Sequence, residues 1–273
     1  MQSYSPLDCE INMKYIGFIL CCLISTSITF QTYAIKPSRT YSNTPEAMEM
    51  EYKEVCVKTS DDFALNVWHL PAENHGSPII ISLADAGNMG DWLYLGLYLQ
   101  AYGLDVWMYD YRGFGKSDDF EIIQNQLFHT EFVTDLDAVA EYVYQKTNKA
   151  PALLGLSMGT IIVNEFLQRT DIPIVKVIFD GYVASPKEWI ERLAANGKTV
   201  TLPKGYRSRK YRLGKVESLF IVSEKDTYST LSDIPKGQPD RNIKTFDCEH
   251  TSGFFRFPGE YTTGVVSFID ESL

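Results

Sequence analysis

Five short apolar runs, none alternating with polar residues, constrain the fold of this 273-residue chain more than any other feature. They are Pro78 to Leu83, Asp105 to Tyr109, Ala152 to Leu156, Val175 to Phe179 and Leu219 to Val222, with Ile243 to Phe246 a shorter sixth candidate. A strand covered by helices on both faces reads this way, because neither face needs the period-two alternation of a half-exposed strand. Helical stretches separate the runs. Asp91 to Tyr102 is apolar and closed by Gly103, and Glu131 to Lys146 carries Phe132, Leu136, Val139 and Val143 at helical spacing with acids opposite. Met158 to Gln168 repeats the pattern, and Glu260 to Glu271 reads as a final helix. Ahead of them, Val55 to Ser60 and Ala64 to Leu70 predict a hairpin around Asp61-Asp62-Phe63. Strands alternating with helices imply a three-layer α/β domain, here spanning 52–273, with nothing to suggest a second one.

Residues 1–34 read differently. After Met13-Lys14, the stretch Tyr15 to Phe30 is apolar or small throughout and leads to Ala34. That is the pattern of a secretory signal peptide, and the acids Asp8 and Glu10 ahead of it suit Met13 as the true start. The expectation is an exported protein, periplasmic or secreted, whose mature chain begins near Ile35; an uncleaved membrane anchor is the alternative. Cys21-Cys22 lacks the small preceding residue of a lipid-attachment site. Residues 35–51, with Pro37, Pro45, Ser38, Ser42 and Asn43, read as a tether. Cys56 and Cys248 read as two unpaired, mostly buried thiols, because the fold puts them on distant strands.

A net charge of −10 argues against nucleic acid as a partner, since neutralising phosphates takes a basic surface. No histidine pair stands at metal-binding helical spacing, and Gly113-x-Gly115 lacks the third glycine of a phosphate loop. No cofactor or metal is expected.

Gly155-Leu156-Ser157-Met158-Gly159 follows one of the buried runs and opens an amphipathic helix. A serine on such a strand-turn-helix corner is lifted clear of the sheet, and the flanking glycines let helix and strand close behind it. Its hydroxyl needs a base. Of four histidines, His69 lies in an early strand, His75 in a turn and His129 ahead of a helix, whereas His250 occupies a loop after the last strand. In the chain order serine, acid, histidine, His250 is the general base. The acid should end the strand between them, which makes Asp226 the residue that orients the imidazole, with Glu224 and then Asp233 as alternatives.

From about Tyr52 to the C-terminus the chain resembles the α/β-hydrolase superfamily, and most of all its compact serine-aminopeptidase-like or lysophospholipase-like branch. Besides the corner at Ser157, the run Asp110-Tyr111-Arg112-Gly113-Phe114-Gly115-Lys116-Ser117 matches a loop of that branch. The resemblance implies an eight-stranded, mostly parallel sheet with a minimal cap and an active site at the strand C-termini. It also implies an oxyanion hole made by the backbone N–H groups of Asp85 and Met158. Relatives usually carry His-Gly in the first of those loops, where this chain has Leu83-Ala84-Asp85-Ala86-Gly87. The Asp85 carboxylate is expected to turn away, accepting hydrogen bonds from the helix start near Asp91; a cationic group on the substrate is its other candidate partner.

The reaction expected is hydrolysis of acyl esters by a carboxylesterase or lipase-like serine hydrolase acting on small molecules. A peptidase taking residues from short peptides shares the same triad, and a non-catalytic binding protein on the same fold is the reading from another class. The interval from Ala184 to Lys215 leaves room only for a small cap and a fairly open site. Its basic residues Lys204, Arg207, Arg209, Lys210, Arg212 and Lys215 suit contact with an anionic head group or surface through residues 204–215.

Overall fold

The computed structural model describes residues 34–73, 76–211, 216–239 and 242–270. The leader, with Cys21 and Cys22, His75, Arg212 and Lys215 therefore lie outside the described residues. In chain order the elements are β1 (Lys36–Pro37), β2 (Lys53–Lys58), β3 (Ala64–Leu70), β4 (Pro78–Ser82), β5 (Ala86–Gly87), α1 (Leu93–Ala101), β6 (Asp105–Tyr109), α2 (Glu131–Thr147) and β7 (Ala152–Leu156). There follow α3 (Met158–Leu167), β8 (Lys176–Asp180), α4 (Pro186–Ala195), β9 (Glu217–Ser223), β10 (Ile243–Phe246), α5 (Gly253–Arg256) and α6 (Pro258–Ile269). Three short 3-10 turns, at Glu46–Met48, Met89–Trp92 and Leu231–Asp233, complete the described elements.

Eight strands form one sheet in the order β10-β9-β8-β7-β4-β6-β3-β2. Only β3 runs against its neighbours, and every other pairing is parallel. The non-alternating runs are the buried strands, as their composition demands: all five residues of β4 and of β7 are buried, with Ile79, Ile80 and Ile81 wholly so. From β4 the chain steps one way to β6, and from β7 it steps the other way to β8 and β9. Right-handed crossovers then put α1 and α6 on one face and α2 and α3 on the other. That reversal opens a crevice between the C-terminal ends of β4 and β7, where an open α/β sheet places a ligand.

The loop after β6 is braced by a buried ionic fork. Arg112, wholly buried, donates through Nε to Asp135 of α2 at 2.8 Å and through its terminal nitrogens to Asp61 at 2.6 and 2.9 Å. Two carboxylates and the fixed guanidinium plane lock the hairpin tip, the loop and α2 together.

Two expectations change. Residues 35–51 are not a tether but a strap laid across the domain: Ile35 is wholly buried and β1 pairs in parallel with β5. The composition misleads because much of the segment's hold comes from backbone bonds, which leave no mark in the sequence, with Ile35 and Tyr41 packed into or against the core. Cys56 is exposed, since β2 is an edge strand; only Cys248 is buried, and both are free thiols.

Candidate active site

The corner after β7 holds Ser157 at φ 49° and ψ −110°, in the left-handed half of backbone space that a non-glycine residue enters only under constraint. The constraint is visible. The Ser157 N–H donates to the carbonyl of Asp180 at 2.8 Å, and the Ser157 carbonyl accepts from Thr160 N–H at 2.9 Å. A Cβ on Gly159 would stand 2.1 Å from the carbonyl oxygen of Ser82, so glycine lets α3 close against β4.

His250, in the loop between β10 and α5, reaches the serine. Its Nε2 lies 2.7 Å from Ser157 Oγ, and its Nδ1 lies 2.5 Å from Oδ2 of Asp226. Asp226 follows β9 and is buried, with its other oxygen accepting from the Tyr228 N–H at 2.7 Å. Ser157, His250 and Asp226 thus form one continuous row. The two alternatives for the acid lie elsewhere: Glu224 is exposed, and Asp233 pairs with both terminal nitrogens of Arg192 at 2.7 and 2.6 Å. The other two described histidines have their own partners. His69 bonds Asp105 at 2.7 Å and stacks on Trp107, while Nε2 of His129 accepts from Ile123 N–H. Burial lowers the pKa of His129, which keeps it a neutral acceptor.

Met158, the first residue of α3, and Asp85, after β4, both line the cavity in front of Ser157. The Met158 N–H lies in the first helical turn, where no carbonyl of the helix can reach it. The Asp85 N–H meets no acceptor among the described residues. Here the expectation for the carboxylate fails. The helix start is capped instead by Asn88, whose Oδ1 accepts from Gly90 N–H while Asp91 closes the capping box, so no donor there is left for Asp85. Asp85 faces the cavity with Ser157 and His250, and burial raises its pKa above the ordinary carboxylate range, with His250, Lys198 and Lys36 pulling the other way.

The cavity holds about 120 Å³. Leu127, Ile161, Val183, Leu193 and Val200 give it an apolar lining, Trp189 and Tyr228 flank His250, and Ala34 and Lys198 stand at its edge. Several of these come from α4 and the segment after it, so the small cap supplies part of the lining of the site. Ser185-Pro186-Lys187-Glu188 marked that helix: Ser185 Oγ accepts from Glu188 N–H, with proline at the first helical position. Of the basic cluster, Lys204, Arg207 and Lys210 are exposed, and Arg209 is tied to Glu165 at 3.2 Å. No cluster of metal-ligating side chains is found among the described residues.

Asp180, the last residue of β8, was not foreseen. It is wholly buried, its Oδ2 accepts from Tyr261 Oη at 3.0 Å and its Oδ1 has no partner. Burial pushes its carboxyl up to about 7, against the pull of the Tyr261 hydrogen bond and of His250.

Residues 86–216 match the serine aminopeptidase S33 family. Among curated relatives, a membrane protein of Saccharomyces cerevisiae, YNL320W, is 29% identical over 118 residues, which are 40% of this chain and 42% of that one. The protein YfhR of Salmonella typhi is 24% identical over 55% of this chain and 51% of its own. The chain thus spans about half the length of the curated relatives it matches. Among solved structures, the esterase Pf2001 of Pyrococcus furiosus superposes with a TM-score of 0.68 at 19% identity, covering 86% of this chain and 96% of that one. XC6422 of Xanthomonas campestris, a serine hydrolase without a lid, superposes at 0.55 with 16% identity, covering 80% and 93%. The family match and these neighbours support a hydrolase. With the strand order and the strand-turn-helix corner at Ser157, these likenesses show that the chain has the α/β-hydrolase fold.

Proposed function

We propose that the chain is a serine hydrolase that cleaves small acyl esters through an acyl-enzyme, with Ser157 as nucleophile, His250 as general base and Asp226 holding the imidazole. The observation that carries this reading is the unbroken row Asp226 Oδ2 to His250 Nδ1 to Ser157 Oγ, at 2.5 and 2.7 Å. Ser157 Oγ attacks the ester carbonyl as its proton passes to His250 Nε2. The tetrahedral oxyanion is met by the N–H groups of Met158 and Asp85. His250 then returns the proton to the departing alkoxide, and a water deprotonated by the same nitrogen releases the acid. An apolar space of about 120 Å³ suits an acyl group of roughly four to six carbons, since about 150 Å³ takes a benzene ring.

A second reading, a peptidase or esterase for amine-bearing substrates, draws on Asp85. A carboxylate in the cavity repels a developing oxyanion, and a substrate ammonium bound there would pair with it. The apolar stretch Tyr15 to Phe30 supports export or membrane attachment as the setting. The exposed cations at 204–210 would serve contact with an anionic surface.

A panel of nitrophenyl esters of graded chain length, run beside aminoacyl nitroanilides, tests both readings. The ester reading expects turnover to peak at short acyl chains and to vanish in Ser157→Ala together with fluorophosphonate labelling. Labelling that survives Ser157→Ala would overturn it.

A further inference from the structure

The loop that carries Asp85 reads Leu83-Ala84-Asp85-Ala86-Gly87, and few of its own groups hold it. At its front the Leu83 carbonyl accepts from Tyr111 Oη at 3.0 Å, and at its rear the Met89 N–H donates to Asp110 at 2.9 Å. Between those two anchors the backbone bonds come from outside, from the segment that follows the leader. Lys36 N–H donates to the Asp85 carbonyl at 2.8 Å, and Ser38 N–H donates to the Gly87 carbonyl at 2.8 Å. Asn88, buried, returns two bonds: its Nδ2 reaches the carbonyls of Ser38 and Thr40 at 3.2 and 2.8 Å. A Cβ on Gly90 would lie 2.6 Å from the Asn43 carbonyl, so glycine there lets the segment lie against the helix start.

The segment is itself fixed to the body of the domain. Ala34 and Ile35 N–H donate to the Gln124 carbonyl at 2.7 and 3.0 Å, and Tyr41 Oη donates to Asp110, the same carboxylate that takes Met89 N–H. Asp110 therefore ties strap and loop to one point at the end of β6.

We propose that the strap Ile35–Asn43 sets the position of the Asp85 N–H, with Lys36 and Asn88 as positioning residues for the oxyanion hole. The inference rests on the proposed serine mechanism. The register supports it, because the strap bonds the Asp85 carbonyl and, two residues on, the Gly87 carbonyl, which fixes the peptide units that directly follow the donor. A donor displaced by about 1 Å no longer bonds the oxyanion, which costs about 10²-fold in kcat while substrate binding changes little.

The test compares each ester with its thionoester in the full chain. Sulfur is a weak acceptor, so a thionoester gains little from the hole and a misplaced donor costs it little. Asn88→Asp keeps the oxygen that caps Gly90 N–H but removes both donors to the strap. Lys36→Pro deletes the single N–H that reaches Asp85. Each is expected to lower kcat for the ester roughly a hundredfold, with KM within about threefold, and to reduce the ester-to-thionoester ratio by a similar factor. Should Asn88→Asp not fold, Lys36→Pro decides alone. Unchanged ratios in folded variants would overturn the positioning role while leaving the Ser157 mechanism standing. A wild type without Ser157-dependent turnover would overturn both.

Discussion

Replacing Gly181 by alanine tests how tightly the row at Ser157 is set. Gly181 has φ +69°, and a Cβ built on it would lie 2.6 Å from Cε1 of His250 and 2.9 Å from Cγ2 of Thr251. Carbon atoms rest at about 3.5 Å, so the imidazole must retreat by about 1 Å. Its Nδ1 is held by Asp226 at 2.5 Å, and the loose end is therefore Nε2, which would move from 2.7 Å to about 3.7 Å from Ser157 Oγ, outside hydrogen-bond range. Misplacement on that scale costs about 10²-fold in kcat. The left-handed backbone adds a stability loss of about 1–2 kcal/mol, or a few degrees in Tm. Gly103→Ala separates the two effects, because Gly103 has φ +94° and an added methyl group would meet nothing within 4 Å. Both variants should lose similar Tm, and only Gly181→Ala should lose turnover of a short nitrophenyl ester. If Gly181→Ala retains a third or more of wild-type kcat, the argument that His250 is wedged between Gly181 and Ser157 is wrong.

Asp226→Asn should lower kcat by about 10³–10⁴-fold. The Tyr228 N–H claims the one remaining oxygen, which turns the amide NH2 toward His250 Nδ1 and leaves Nε2 protonated against the serine; Glu224→Gln, on an exposed side chain, should change kcat less than twofold. Asp85→Asn removes the carboxylate beside the developing oxyanion. At ~6 Å and an effective dielectric of ~20 that repulsion is about 3 kcal/mol, so kcat/KM on neutral esters should rise by up to about 10²-fold and fall on amine-bearing ones; equal changes on both classes would remove Asp85 from substrate selection. Asp180, raised to about 7 from 3.8, binds more protons folded than unfolded between those values, so it makes stability fall as pH rises from about 4 to 7, by about 4 kcal/mol in all. Asp180→Asn should flatten that decline in denaturant titrations across the interval, and a decline of unchanged slope would refute the assignment.

The sheet was legible because burial on both faces leaves no freedom in composition: Ile79-Ile80-Ile81 admits few readings other than an inner strand. The Ser157, Asp226 and His250 positions were legible through chain order, and the structure brings those three side chains together. What escaped was whatever depends on backbone bonding or on side-chain direction. Residues 35–51 carry the prolines and serines of a tether, and only the pairing of Lys36–Pro37 with Ala86–Gly87 reveals an ordered path. Asp85 was expected at the helix start because acids favour that place, but Asn88 stands three residues nearer and already satisfies the donors. Asp180 carried no signal at all, since an aspartate closing a strand reads the same whether its carboxyl is buried or wet.

The strap has a consequence for how this chain tolerates change. Its grip on the loop runs through main-chain atoms, the N–H groups of Lys36 and Ser38 and the carbonyls of Ser38 and Thr40, so most of its side chains can be exchanged without loosening it. Its path admits no such latitude. Between the Gln124 carbonyl that holds Ala34 and Ile35 and the Asp110 carboxyl that holds Tyr41, the number of residues is set by the span to be crossed. One residue added or removed there would shift every later bond by a register. Side-by-side comparison of related chains would therefore show this stretch as variable in letters and constant in count, the mark of a spacer whose measure is its length.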